Sequence, residues 1–325
     1  MADATTLRDE CEYRLTAAAA VASGELWQMS NGWPARHTAL NAAAANDTVN
    51  FTCHGTVTVT KAASQVWLDG APIWWDHSAN AATCNEPIGS SDRDYYLGTA
   101  VGDVASATTT GVVKLGKEPK YIIDSARDNG DTVIVKTVVG STTVEVPQVY
   151  NRGGMIFFQF GTTAEAQKVD WISDRGFAVG SNWIAEILLE LVTAADAAAV
   201  DVNVGVASGT HATDFDAIAE LAAFHLDGDD LNIDAQSDDG TTDKAITDTT
   251  IDIAAGTPVR LTLDGRDMSA VKFYINGAQV LAAEADLGNL AAATGPLYAI
   301  IHAEKTSDDS PLAFKARIRV RTMEQ

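Results

Sequence analysis

The stretch Lys272-Phe273-Tyr274-Ile275-Asn276-Gly277-Ala278-Gln279-Val280 decides the fold class. Asn-Gly stands between two runs that alternate apolar and polar residues. Asn and Gly tolerate the positive φ that a type I′ turn needs at both central positions, so the spacing predicts a tight β-hairpin. The same period of two recurs in both directions: Thr56 to Thr60 (TVTVT), Val133 to Val139, Met155 to Phe160, Val200 to Val206, Val259 to Asp264 and Ala316 to Arg321. Successive side chains of a strand point to opposite faces, so each run reads as a strand with one face buried. Many short strands separated by turn residues, without helix–strand alternation, predict an all-β chain. Two short helices are expected against this background, at Ala194–Ala199 and at Phe215–Ala223 behind Asp214 as N-cap.

The chain has 325 residues, enough for two domains. The mixed charge, Pro and Gly of GKEPKYIIDSARDNGD (116–131) mark a boundary near Glu118. The expected organisation is an N-terminal arm (1–14), a small β-domain (15–118) and a larger antiparallel β-sandwich (119–325).

Forty-four Asp and Glu against 22 Lys and Arg leave a net charge of -22. Phosphate contacts need clustered Lys and Arg, so this composition argues against binding to nucleic acid or to an anionic membrane. No basic and apolar leader is read at the start of the sequence, and no apolar run is long enough to span a bilayer. Cys11, Cys53 and Cys84 are an odd set without C-x-x-C spacing; reduced thiols are expected, with a Cys53–Cys84 bridge as the alternative.

Signatures of catalysis are missing from the sequence: no G-x-S-x-G, H-E-x-x-H, phosphate-binding loop or dinucleotide fingerprint occurs. Cys53, His54, His77 and Cys84 make a poor zinc set, because adjacent ligands do not reproduce the usual C-x₂₋₄-C spacing. The acidic run at 226–240 invites calcium through Asp227, Asp229 and Asp230, yet it lacks the spacing and the closing Glu of a calcium loop and reads better as hairpin turns. No cofactor is implied.

The segment Val66-Trp67-Leu68-Asp69-Gly70-Ala71-Pro72-Ile73-Trp74-Trp75-Asp76 concentrates three of the seven tryptophans. Alternation sends Trp74 and Trp75 to opposite faces. One of them, with Trp67 and Val66, is expected in the core, and the other at an intersubunit or capsid contact, where Trp is favoured, so Trp67, Trp74 and Trp75 are the candidate contact residues.

Residues 15–118 resemble the phage capsid cement, or decoration, proteins. The resemblance is carried in order by Ala18 to Trp27 (AAAVASGELW), the Thr56 to Thr60 strand, Lys61-Ala62-Ala63-Ser64, Trp67 to Asp76, Tyr96-Leu97-Gly98-Thr99-Ala100 and Gly111 to Leu115. It departs at Asp92-Arg93-Asp94, where the family has small polar residues, and in its large C-terminal extension. The resemblance implies a homotrimer on the outer surface of the phage head, bound to the major capsid protein and needing no catalysis. Residues 119–325 resemble concanavalin-like jelly rolls through Phe273 to Gly277 and the terminal strand Phe314 to Val320. That likeness raises glycan binding as the alternative role, although fold does not transfer function.

Overall fold

The computed structural model describes residues 12–17, 19–29, 32–87, 94–125, 135–141, 143–145, 154–194, 200–212, 214–228, 230–283, 287–306 and 309–322. The chain divides into two compact units, Met1–Pro119 and Lys120–Gln325. No helix occurs among the described residues.

The first unit carries nine strands: β1 (Glu12–Thr16), β2 (Leu26–Gln28), β3 (Pro34–His37), β4 (Thr48–Thr52), β5 (Thr56–Thr60), β6 (Pro72–Asp76), β7 (Ala81–Thr83), β8 (Tyr95–Ala100) and β9 (Thr110–Leu115). They form a four-stranded sheet of order β1-β4-β3-β2 and a five-stranded sheet of order β5-β9-β8-β6-β7. β1 begins at Glu12, inside the segment read from sequence as an arm; residues 1–11 of that segment lie outside the described residues. Each sheet has its own apolar cluster. Phe51, Val49, Val21 and Cys53 fill one, and Trp67, Ile73, Leu97 and Val113 the other.

The second unit carries β10 (Ile123–Asp124), β11 (Val135–Val139), β12 (Thr143–Glu145), β13 (Ile156–Phe160), β14 (Gln167–Ile172), β15 (Phe177–Ala178), β16 (Trp183–Thr193), β17 (Val200–Ala207), β18 (Glu220–Asp227), β19 (Asn232–Asp239), β20 (Asp243–Asp252), β21 (Val259–Gly265), β22 (Lys272–Ile275), β23 (Ala278–Val280), β24 (Pro296–Lys305) and β25 (Leu312–Thr322). Two eight-stranded antiparallel sheets result. One runs β12-β13-β25-β16-β21-β22-β23 with β10 on β25; the other runs β11-β14-β24-β17-β18-β19-β20 with β15 on β24. Their inner faces share one core, across which Phe224 of β18 meets Phe273 of β22 edge to face at 5.5 Å. Phe158 and Phe314 stack on neighbouring strands at 4.8 Å. This is an all-β jelly-roll sandwich. The Asn276-Gly277 hairpin joins β22 to β23, with φ of 50° and 81° at the two turn residues.

The helix expected at Phe215–Ala223 does not form. Phe215 to Ile218 make a turn, in which the Ile218 N–H donates to the Phe215 carbonyl at 3.0 Å, and the chain then enters β18. Asp214 accepts from the Asp216 N–H at 3.0 Å, so its carboxylate opens a turn and caps no helix. Tertiary burial overrides helix propensity here, because β18 buries both faces of Leu221 to Leu226. Of the other expected helix, Ala194 carries no regular structure and residues 195–199 lie outside the described residues.

Candidate functional site

In the first unit, Trp67 is fully buried in the cluster of the five-stranded sheet. It is placed by a bridge to Val104, with the Trp67 N–H donating to the Val104 carbonyl at 3.0 Å and the return bond at 2.8 Å. Turn residues follow: the Ala71 N–H donates to the Leu68 carbonyl at 2.9 Å, and Asp69 Oδ1 accepts from the Gly102 N–H at 2.7 Å. β6 then returns against β8 with a bulge, since Ile73 pairs with Gly98 but Trp74 pairs with Tyr96. The extra residue, Leu97, is fully buried. Trp75 packs against the same cluster as Trp67, half-buried. Trp74, on the opposite face, is also half-buried and meets Tyr96 edge-on at 5.8 Å. Val66 is half-buried and outside that cluster.

Lys61 explains the phrase Lys61-Ala62-Ala63-Ser64. Its side chain turns inward, 4% exposed, and its ammonium donates to the carbonyls of Ala62 at 3.1 Å, Gln65 at 2.7 Å and Ser106 at 3.3 Å. A buried cation needs such oxygen partners, and here they tie the 61–65 turn to the 105–109 segment.

Sequence reasoning passed over Trp33 and Leu40. They are 45% and 94% exposed, the two most exposed large apolar side chains among the described residues of this unit. Exposed apolar groups mark contact surfaces when they cluster, but single ones are common. Nothing in the local sequence distinguishes Trp33 from a core tryptophan.

In the second unit the outer face of one sheet carries a transverse polar row. Register places Asp170 (β14), His302 (β24), Asn203 (β17), His225 (β18) and Asp234 (β19) side by side. His302 Nδ1 lies 2.6 Å from Asp170 Oδ1, and His302 Nε2 lies 3.4 Å from Glu304. Burial opposes protonation of His302, but the bonds to Asp170 and Glu304 outweigh it and hold its pKa above the ordinary value. Asn203 Oδ1 serves both His225 Nδ1 at 2.9 Å and Gln236 Nε2 at 3.0 Å. Burial, then the carboxylates of Asp227, Glu304, Asp216 and Asp214, push Asp201 up to about 7.

A perturbed cluster of this kind is a site candidate only where a substrate can reach it. The segment 208–219 closes it: Phe215 packs on the His302 ring at 5.4 Å, Asp216 takes a bond from Gln236 at 2.9 Å, and Lys168 donates to the His211 carbonyl. His302 and Asp170 are each 1% exposed. The row therefore pins that segment to the sheet.

The candidate metal and ligand residues resolve as follows. Asp230 spends its carboxylate on the backbone and side chain of Asn232, at 2.9 and 3.0 Å. Asp227 ends β18 opposite Asp201, and Asp229 lies outside the described residues. Among the described residues no group of three or more His, Cys, Asp or Glu is arranged to hold a metal ion. Cys53 and Cys84 are buried in separate clusters and form no disulfide with each other, so the four-residue zinc set is not assembled. Trp171 and Trp183 of the sandwich are core residues, 2% and 0% exposed. Asp94 ends on the surface as acceptor for the His77 N–H at 2.8 Å, while Asp92 and Arg93 lie outside the described residues.

Comparison with known proteins finds a family similar to part of the first unit. Residues 8–115 match the family model described as phage cement protein. No curated protein matches the chain. Among solved structures, the chain is similar to an endo-acting O-glycanase of the human gut microbiota at 12% identity and a TM-score of 0.41, covering 63% of this chain and 100% of that one. It is similar to the Emp46p carbohydrate recognition domain at 12% identity and a TM-score of 0.37, covering 55% and 87%. It is also similar to the laminarinase catalytic domain of Thermotoga maritima at 12% identity and a TM-score of 0.39, covering 63% and 99%. Likeness at this level carries no inference about activity.

Proposed function

We propose that this chain is a phage head decoration protein whose first unit binds the outer surface of the assembled capsid and reinforces it. The observation that carries the reading is the cement-family match over residues 8–115, which falls within the compact unit Met1–Pro119. The physics of the chain agrees with it. A clamp spanning neighbouring shell subunits opposes their separation without chemistry, and its own net charge of -22 keeps it from competing for the packaged DNA. Assembly as a homotrimer would let several weak contacts with the major capsid protein act together, so that release requires breaking all of them at once. Trp74, Trp33 and Leu40 are the side chains offered as contacts, with Trp75 and Trp67 supporting them from the core.

The test mixes the purified protein with expanded, undecorated heads and pellets them. Cosedimentation at a saturating ratio of three copies per binding position is expected. Failure of the folded protein to pellet with the heads rejects the reading.

A further inference from the structure

The segment 208–219 leaves β17 and returns as β18 over the outer face of their sheet. Its two ends are tied together, since the Ser208 N–H donates to the Glu220 carbonyl at 2.8 Å. The β17–β18 ladder runs unbroken beneath it, from Asp201↔Asp227 to Ala207↔Leu221, so the segment can lift without parting a strand pair. It is held down by apolar contacts of its own. Phe215 and Ile218 are buried with Ala207, Leu221, Ala223 and Ile300 in a cluster apart from the sandwich core. A small satellite cluster opens locally at less cost than the core behind it.

Under the segment, hydrogen bonds fix where the protons lie. Asp216 Oδ1 accepts from Gln236 Nε2 at 2.9 Å, and the same Nε2 donates to Asn203 Oδ1 at 3.0 Å. An amide oxygen only accepts, so His225 Nδ1, 2.9 Å from Asn203 Oδ1, is the ring nitrogen that carries hydrogen. Burial lowers the pKa of His225, which leaves its Nε2 a bare lone pair at neutral pH. That lone pair faces Asp201 Oδ1 at 3.9 Å. The ring looking at Asp201 from β18 is therefore not a cation.

Asp201 is half-buried, and carboxylates converge on it from each element packed around it. Asp227 stands opposite it on β18, Glu304 opposite it on β24, and Asp214 and Asp216 act on it from the segment above. Lys168 on β14 is committed to the His211 carbonyl and to Asp170 at 3.6 Å, and His302 to Asp170 and Glu304. Burial first, then the four carboxylates, lift Asp201 to about 7. Two of those four belong to the segment. When it lifts they leave, water reaches the carboxyl, and Asp201 falls back toward the ordinary Asp value and gives up its proton. An opening coupled to one released proton grows by at most about tenfold per pH unit. It levels off once pH passes the closed-state value of about 7. Asp170 and Glu304 stay on the sheet, so His302 keeps the bonds that hold its proton and adds little to the change.

We propose that the segment 208–219 is a pH-released strap, closed while Asp201 carries a proton and lifting when Asp201 ionises against Asp227, Glu304, Asp214 and Asp216. Phe215 and Ile218 keep it down on the acid side. Above neutrality the crowded carboxylates drive its acidic residues away from the sheet, and the polar row beneath Phe215 is uncovered. The strap belongs to the second unit and is independent of what the first unit binds.

The experiment follows hydrogen exchange of the full chain from pH 5.5 to 8, corrected for the intrinsic pH dependence of amide exchange. Protection at the amides of Asp216 and Ile218 is expected to fall at least about tenfold across this range, while amides of β17, β18 and β24 keep theirs. In Asp201→Asn the strap amides should retain at pH 8 the protection they have at pH 5.5. The double variant Asp214→Asn, Asp216→Asn changes two exposed residues and should at least halve the fold-change. Flat protection in the wild type overturns the inference, as does an undiminished fall in Asp201→Asn. Equal loss of protection in the strap and in the strands also overturns it, because the sandwich itself would then be opening. If Asp201→Asn does not fold, the double variant decides, and a fold-change equal to that of the wild type rejects the strap.

Discussion

Trp67 packs against the bare α-carbon of Gly111: a β-carbon at Gly111 would come within 2.2 Å of the indole. The second unit repeats the device, since a β-carbon on Gly265 would meet the Trp183 ring at 2.1 Å, and these two residues are cross-strand partners. Both tryptophans are fully buried. Each unit thus fits its largest ring into space that a strand glycine leaves empty.

Gly111→Ala is therefore expected to destabilise the first unit by about 1–3 kcal/mol, the range for overpacking a core. Gly265→Ala is expected to do the same to the sandwich. Calorimetry that resolves the two unfolding transitions checks this: each variant should lower one midpoint and leave the other in place. A single shared shift would show that the units do not unfold independently.

Truncating the tryptophans separates core from contact. Trp67→Ala should cost about 3–5 kcal/mol and unfold much of the first unit, as removal of a buried ring does. Trp74→Ala should leave the thermal midpoint nearly unchanged and weaken cosedimentation with heads. Equal loss of stability in both variants would refute the division of roles.

Glu186 sits 1% exposed among Arg260, Arg319 and Arg321, and accepts from the Tyr121 hydroxyl at 2.7 Å. Burial raises its pKa, but the three arginines outweigh burial and bring it below the usual carboxylate value. A lowered carboxylate contributes stability that is present above its unfolded pKa and lost as pH falls through the folded one. Glu186→Gln should cost about 3–5 kcal/mol at neutral pH by leaving the arginines uncompensated, and its deficit should shrink toward acid. Thermal midpoints across pH 2–7 would show a constant deficit if this pairing were wrong.

Asp201 gives the opposite sign. With its pKa pushed up to about 7, the folded state holds a proton that the unfolded chain has released, so stability is lost as pH rises between the ordinary Asp value and about 7. Asp234, pushed up to about 6 by burial and then Asp248, adds in the same direction. His225, lowered chiefly by burial, acts against them below its ordinary value. Asp201→Asn should raise the sandwich's midpoint at pH 8 and leave it unchanged near pH 4. A gain of equal size at both would disprove the titration.

Chelator should leave both thermal transitions in place, because Asp230 is committed to Asn232 and no metal-binding group is assembled among the described residues. A fall in the sandwich midpoint, restored by calcium, would overturn that reading of the 226–240 turns.

The sequence by itself determined the all-β class, the Asn276-Gly277 hairpin and the period-two strands, because these depend on local φ preferences and on which face of a strand is apolar. The cement resemblance was also legible, as an ordered series of short phrases across the first unit. It misjudged Phe215–Ala223, where apolar spacing allows a helix in isolation and only burial of both strand faces decides otherwise. Tertiary structure alone decided the rest. The spaces at Gly111 and Gly265 exist only once strands distant in sequence pair. The polar row through Asp170, His302, Asn203 and His225 is assembled by register across four strands. Such features are sums of long-range pairings, which no local pattern in the chain encodes.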